Sequence, residues 1–543
     1  MKKKRILMCN ESSLMSTGYS VYGYEVLKRL HETGKYELAE LASYSEEGEP
    51  NISNIPWRYF PVVPHKNNQH ARAVYNSKAT NQFGEFKFDS VCAEFKPDIV
   101  WDIRDWWMFE FQERSPARPY YNWVIMPTVD SMPQNEDWIS TFINADAVFT
   151  YSDWGLEALK KQSNNKIKLH KSAPPGANLK DFRLLDKRKS RAKVNLSDDL
   201  LIVGTVMRNQ VRKLYPDLME AFRKFLTVAP KEIAAKAYLY IHTGYPDMGW
   251  DIPRLLKEHG VAHKTLFTYQ CDKCREIYPS HFMGGRTSCK FCGNHSSYLP
   301  SVKTGVPSSI LNEIMSLFDV YVQYAVCEGF GMPQVEAASS GTPIMSVDYS
   351  AMSDVVRKLD GYPIKVERMF RDAGTESYRA LPDNEDFIQK LIKFFQKSKE
   401  ERTEEGVNAR KQVEKYYTWE NTSKIWEEYF DSVKPLDKWR EPAKITIPNF
   451  QLPGELSDME FVNWALDKIA GRPDLKNGYL AIKMARDLSL GMCLQGLPNI
   501  LSNESSSNSY TRYGSFDREV LAKHFVQVCN NKNIFEKRRI EYE

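Results

Sequence analysis

No stretch of the 543 residues reaches the 18 or more consecutive apolar side chains of a membrane-spanning helix. The basic start Met1-Lys2-Lys3-Lys4-Arg5 leads only into Ile6-Leu7-Met8-Cys9 before Asn10 and Glu11 interrupt it, too short a run for a secretory signal and suited to a first strand. Charge of one sign is lacking too. Lys and Arg number 74 against 70 Asp and Glu, a net charge of +4 that argues against a chain coated in nucleic acid while leaving room for a local basic patch. Cysteine is sparse: nine residues, four in two C-x-x-C pairs and the rest scattered, exclude a dense secreted disulfide framework and point to a reducing cytoplasm. No short-period repeat of the solenoid kind is present.

What is there suffices for large cores: 42% of residues are hydrophobic and 27% charged. At about 150 residues per domain, the length predicts three or four units. Strands are expected at Arg5-Cys9, Ile99-Ile103, Asn122-Met126 and Ala147-Thr150, with a helix at Tyr19-His31. The alternation then restarts with strands at Leu200-Thr205, Ala237-His242, Thr265-Tyr269 and Val320-Tyr324, and helices at Pro216-Leu226, Asp251-His259, Ile310-Phe318 and Gln334-Ser340. Such alternation implies two consecutive α/β domains, each a mostly parallel sheet covered on both faces. The expected division is 1–190, with a closing helix over 419–433, and 191–418, the boundary falling near the charged stretch Asp186-Lys193. Four prolines make 434–454 a linker, and the Ser-x-x-Glu capping box at Ser457-Glu460 opens a helical C-terminal extension over 455–543.

The richest segment is Cys327-Glu328-Gly329-Phe330-Gly331-Met332-Pro333-Gln334-Val335-Glu336-Ala337-Ala338-Ser339-Ser340-Gly341-Thr342-Pro343. A strand ends before it, a glycine-containing turn follows, and Pro333 suits the first turn of a helix. The free amides and dipole of that helix start form an anion site at the carboxyl edge of a sheet. Glu328 in the loop and Glu336 on the helix can both face one ligand, and carboxylates there suit sugar and ribose hydroxyls.

Strand, E-G-F-G-x-P-x-x-E-A and S-G-T-P-I together resemble the signature of retaining glycosyltransferases of the GT-B fold, the group 1 or family 4 type, in which two Rossmann-like domains face each other across a cleft. The resemblance implies that Glu328 lies at the donor sugar, that Glu336 binds the ribose, and that the backbone of Phe330, Gly331 and Met332 approaches the phosphates. Val203 to Lys213 resembles the strand and loop that supply an arginine and a lysine to the donor pyrophosphate, here Arg208 and Lys213; two fixed cations there stabilise a departing diphosphate. Ser16-Thr17-Gly18-Tyr19-Ser20 resembles the glycine loop of the opposing domain, with Gly18 at the phosphates. Pro175-Gly176-Ala177-Asn178 resembles the interdomain segment, with Asn178 in place of the usual acid. Where the family often has an acceptor-side histidine, the chain has Pro127 to Pro133 with none. Asp130 is the candidate there to bind or deprotonate the acceptor hydroxyl, and a capped turn is the alternative.

Cys271, Cys274, Cys289 and Cys292 form a C-x2-C-x14-C-x2-C pattern, two knuckles whose thiolates complete a tetrahedral zinc site in a zinc-ribbon insertion over 271–292. Four thiolates leave no open coordination position, which makes the Zn2+ structural. His281 and His295 are then bystanders.

The reading is a cytoplasmic, retaining hexosyltransferase that moves a sugar from a UDP- or GDP-type nucleotide sugar to a hydroxyl acceptor. No Asp-x-Asp motif is visible, so transfer is expected to need no catalytic metal. The residues leave the acceptor open among a glycan, a lipid-linked sugar and a hydroxylated base in DNA. They also leave open a nucleotide-sugar epimerase on the same fold, and an inactive nucleotide-sugar-binding scaffold.

Overall fold

The computed structural model describes residues 3–436 except 116, 302 and 303, together with 439 and the backbone of 511–512 and 515–516. Most of the expected linker and helical extension lies outside these residues. Within the extension, Thr511–Arg512 and Ser515–Phe516 pair antiparallel.

The first sheet is built from β1 (Lys4–Glu11), β2 (Tyr36–Glu46), β3 (Arg58–Val63), β4 (Ile99–Asp102), β5 (Asn122–Ile125), β6 (Ala147–Thr150) and β7 (Leu169–Ser172). Its order is β3-β2-β1-β4-β5-β6-β7, and every pair is parallel. The second contains β8 (Leu201–Val206), β9 (Ala237–His242), β10 (Thr265–Cys271), β11 (Ile277–Ser280), β12 (Arg286–Thr287), β13 (Ser297–Tyr298), β14 (Val320–Gln323), β15 (Ile344–Val347) and β16 (Tyr362–Ile364). Its parallel part runs β10-β9-β8-β14-β15-β16. β17 (Val366–Arg371) and β18 (Tyr378–Pro382) form a separate antiparallel hairpin. Central strands such as β4, β6, β14 and β15 are buried along their whole length, which is why they read as unbroken apolar runs.

In each sheet the strand order reverses once beside the first strand, between β1 and β4 in one and between β8 and β14 in the other. Loops leaving the two strands diverge at such a point and open a crevice beyond their carboxyl ends. The glycine loop follows β1, the Arg208 to Lys213 loop follows β8, and the Glu328 segment follows β14. All three motifs therefore sit at the two crevices.

The charged stretch at the expected boundary forms a short helix, Lys187–Lys193. Asp186 caps it, and Arg191 is buried, with Nη2 2.7 Å from Asp319 Oδ2 and bonds to the Leu317 carbonyl. A buried guanidinium needs such complete pairing, and it ties the helix to the second sheet. The chain crosses between the sheets twice, side by side: Ala177 N donates to the Tyr417 carbonyl, and a Cβ on Gly176 would stand 2.3 Å from Trp419 N. Only glycine allows that approach. The helix Trp419–Ser432 then returns to the first sheet, where Trp426 packs 4.6 Å from Trp101 and donates to Tyr22 Oη.

Candidate active site

The loop after β8 is held on both sides. Asn209 exchanges two 2.8 Å hydrogen bonds with the backbone of Trp250, and Trp250 Nε1 donates to the Lys213 carbonyl. Leu214 N bonds to the Tyr324 carbonyl and Val326 N to the Arg212 carbonyl, so the loop is stitched to the turn that follows β14. The stitching delivers two cations to Glu328. Lys213 is ion-paired with Glu328, and Arg212 Nη1 lies 2.7 Å from its Oε2. Gln323 Nε2 donates to Glu328 Oε1, and the Glu328 amide donates to Ser350 Oγ. Glu328 is 5% exposed, and a carboxyl group at that depth needs the Lys213, Arg212 and Gln323 donors gathered on it. Burial, and Arg212 beside it, push the Lys213 ammonium below its ordinary value.

Arg208 turns the other way. Its Nε lies 3.0 Å from Asp247 Oδ2 in the loop after β9, and its side chain is 41% exposed. Of the three cations on this loop, Lys213 and Arg212 converge on Glu328, whereas Arg208 stands at the rim with a carboxylate partner. Arg212 lies inside the run Arg208 to Lys213, but nothing in the sequence ranks it above its neighbours.

Gly331 has φ +86°, a left-handed turn that suits glycine, and it caps the helix Met332–Ser339. Phe330 is buried against Tyr417. A Cβ on Gly18 would meet Met332 Sδ at 3.9 Å, so the glycine loop of the first sheet faces the helix start of the second. Gly329 packs so closely on Thr128 that a Cβ would stand 2.4 Å from its Cγ2. The motifs picked out in both halves of the chain therefore meet across one cleft. Glu336 lies behind the helix start. Burial pushes its carboxyl up to about 7, and it has no hydrogen-bond partner among the described residues.

Asp130 is not a free carboxylate. Its Oδ2 lies 2.9 Å from Arg379 Nη1 and 3.2 Å from Cys327 Sγ, while Ser131 Oγ donates to its Oδ1. Nearby on the first sheet, after β4, Asp105 makes no ion pair among the described residues. Burial pushes it up to about 6, opposed by hydrogen bonds with Tyr19 and Thr128, which themselves lie 2.6 Å apart. Asp130 pushes it further up and Arg212 of the other half pulls it down, and its neighbour Thr128 packs on Gly329 of the other half. The sequence gives Asp105 no motif; its position just past a buried strand beside the switch point is the signal that could have found it.

The four cysteines come together. Their sulfur atoms all lie within 4.8 Å of one another, with Cys271 and Cys292 3.7 Å apart and Cys274 and Cys289 3.6 Å apart. A tetrahedron of Zn–S bonds of about 2.3 Å has edges of about 3.8 Å, so the donor set and its spacing fit zinc. Each knuckle closes with a left-handed residue, Arg275 at φ +64° and Gly293 at φ +71°, and with a bond from its amide to the first cysteine's carbonyl. His281 instead bonds the Thr265 carbonyl through Nδ1. β10 runs from the parallel sheet, where it pairs with β9, into the insertion, where it pairs with β11 and β13.

Among the described residues no helix is long and apolar enough to cross a membrane. No protein-family model and no curated protein matches the chain. Solved structures do. The chain is similar to sucrose-phosphate synthase from Thermosynechococcus elongatus, at 16% identity over 80% of this chain and 100% of that one, with a TM-score of 0.57. It is similar to HepE from Anabaena in complex with UDP and glucose, at 12% identity over 79% and 100%, with a TM-score of 0.54. A third likeness is to the glycosyltransferase WaaG involved in lipopolysaccharide biosynthesis, at 13% identity over 78% and 99%, with a TM-score of 0.52. Two parallel sheets with opposed switch points, and these likenesses over whole partner chains, establish the fold as GT-B.

Proposed function

We propose that the protein is a retaining glycosyltransferase that moves a hexosyl group from a nucleoside diphosphate sugar to a hydroxyl acceptor. The observation that carries this reading is the convergence of Lys213, Arg212 and Glu328 beside the helix start at Met332, with Gly18 of the opposite sheet facing it. The solved structures with UDP and glucose or UDP-2-fluoro glucose bound share this fold, which supports the donor class.

In this reading the amides at Phe330, Gly331 and Met332 receive the diphosphate, and Lys213 and Arg212 neutralise it. Glu336 accepts the ribose hydroxyls, and Glu328 lies against the sugar whose anomeric carbon becomes electron-poor. The bond from that carbon to the diphosphate oxygen breaks as the acceptor oxygen bonds on the same face, and the acceptor proton passes to the departing phosphate. Protein groups position and neutralise, with no protein nucleophile and no catalytic metal. The four-thiolate zinc holds the ribbon, and its need for reduced cysteines suits a cytoplasmic protein.

The test is incubation of the purified protein with UDP- and GDP-sugars, with and without glycan, lipid-linked sugar and hydroxymethylated DNA acceptors. Acceptor-dependent release of nucleoside diphosphate, and a product with the donor's anomeric configuration by NMR, are expected. Interconversion of the donor sugar without an acceptor would make it an epimerase, and donor binding without turnover a scaffold.

A further inference from the structure

The hairpin of β17 and β18 belongs to neither main sheet, yet it touches both halves of the molecule. On one side Tyr378 N donates to the Met132 carbonyl at 2.7 Å, making an antiparallel bridge with that residue, and Ser377 Oγ donates to the Pro133 carbonyl at 2.6 Å. On the other side Ala380 N donates to the Val326 carbonyl at 3.0 Å. Arg379, between these anchors, is 12% exposed. Its Nη1 binds Asp130 of the first half and the sulfur of Cys327, the residue before Glu328, and its Nη2 binds Thr375 Oγ1 of the hairpin turn at 3.2 Å. Tyr349 adds a further bridge, accepting from Met132 N and donating to the Tyr378 carbonyl.

Building on the glycosyltransferase reading, we propose that Arg379 is a positioning residue: the 366–382 hairpin is a clasp across the cleft, and its contact with Asp130 couples domain closure to the placement of Glu328. The same guanidinium grips the loop that carries the acceptor-side carboxylate and the loop that carries the donor-side one. Parting of the two halves would separate Asp130 from Arg379 and Thr128 from Gly329 together. An arginine suits the task because its planar donors reach several acceptors in fixed directions. The Asp130 carboxylate thereby has a role other than proton abstraction: it is the fixed point on which the clasp closes.

The experiment uses the full-length zinc-loaded protein, Arg379→Gln on one side of the cleft and Asp130→Asn on the other. Small-angle scattering reads closure without any substrate, and both variants, measured well below their thermal midpoints, are expected to show a larger radius of gyration than the parent. Steady-state assays are expected to show kcat lowered about ten- to a hundredfold with the donor KM changed less than about twofold, since a displaced Glu328 costs reaction rather than nucleotide binding. The double variant should lose no more than the worse single one, because the two residues act through one contact. An unchanged radius in both variants, or kcat at the parent's level in both, overturns the clasp. A parent that turns over no nucleotide sugar counts against the glycosyltransferase reading alone, and scattering still decides the clasp.

Discussion

The ammonium of Lys213 is paired with the carboxylate of Glu328 inside the cleft, both side chains almost wholly buried, while Arg208 five residues earlier is half exposed and bound to Asp247. A buried charge that loses its partner is left uncompensated, whereas an exposed one is rehydrated. Lys213→Met should therefore lower kcat/KM about a hundredfold or more, the scale of a lost charge-stabilising donor. Arg208→Ala should cost less and should act mainly on donor KM. Steady-state kinetics on the two variants, with thermal midpoints measured alongside, check the ranking; equal losses would show that Arg208 leaves Asp247 to bind the diphosphate.

Glu336 has burial and no hydrogen-bond partner among the described residues, and its carboxyl is pushed up to about 7. A carboxylate can accept from two ribose hydroxyls, and its protonated form accepts fewer. Donor affinity should therefore rise from pH 6 to pH 8. Glu336→Gln should weaken donor binding and remove that pH dependence, whereas Glu328→Gln should chiefly lower kcat. The folded-state pKa lies above the ordinary carboxylate value, so the group favours folding most at low pH and loses that contribution as pH rises through about 7. Glu336→Gln is accordingly expected to have a thermal midpoint at pH 8 at least equal to the parent's. Calorimetric titration with UDP at several pH values, with parallel melting curves, measures both.

Much of this is legible in the amino-acid sequence. The strands expected in both halves are observed with ends within two residues of their predicted places, because each is mostly buried and several, such as β4, β6 and β14, are buried throughout. The four-cysteine knuckles and the helix start at Met332 were legible because backbone geometry restricts which residues serve there. β2 was not: Tyr36–Glu46 places Glu37, Glu40 and Glu46 in a strand, and Glu40 is buried in it as a ligand for Ser13 and Trp57. A buried charge with distant partners has no local signature. β3 carries Pro61, and β7 is a short edge strand of mixed polarity. Arg379 was invisible for the same reason as Glu40: its partners Asp130 and Cys327 lie far away in sequence, and β17 and β18 are short strands without an unbroken buried run.

The four-cysteine insertion is built onto the edge of the second sheet, since β11 and β13 pair directly with β10. Metal analysis should find one zinc per chain. Stripping it with a strong chelator leaves four thiols in contact, and the insertion should open, because metal affinity and local folding are one free energy here. Cys274→Ser or Cys289→Ser should lower zinc content and the thermal midpoint together. Donor binding should weaken less than stability, because Lys213, Glu328 and Glu336 are held by β8, β14 and the helix after it. A variant lacking zinc with an unchanged midpoint would remove the metal from the account of folding.

Asp105 stands just past β4, beside Tyr19 and Thr128 and within the field of Arg212, with its carboxyl pushed up to about 6 chiefly by burial. In the ionised form it can accept a hydrogen bond from an acceptor hydroxyl; protonated, it competes as a donor. Transfer to acceptor should therefore rise with an apparent pKa near 6, while hydrolysis of the donor by water should follow a flatter profile. Asp105→Asn keeps the shape and removes the charge. It is expected to lower transfer about tenfold or more, the scale of one lost hydrogen bond to a charged group, and to abolish the pH 6 limb. UDP affinity should stay close to the parent's, since in the proposed arrangement Lys213, Arg212 and the helix start at Met332, all on the other sheet, carry most of the diphosphate binding. The raised pKa again means that ionisation opposes folding as pH climbs through 6, so Asp105→Asn should melt no lower than the parent at pH 8. Paired assays of transfer and hydrolysis from pH 5 to pH 8 decide it. If the pH 6 limb persists in Asp105→Asn, the titrating group lies elsewhere and Asp105 serves only to hold Tyr19 and Thr128 in place.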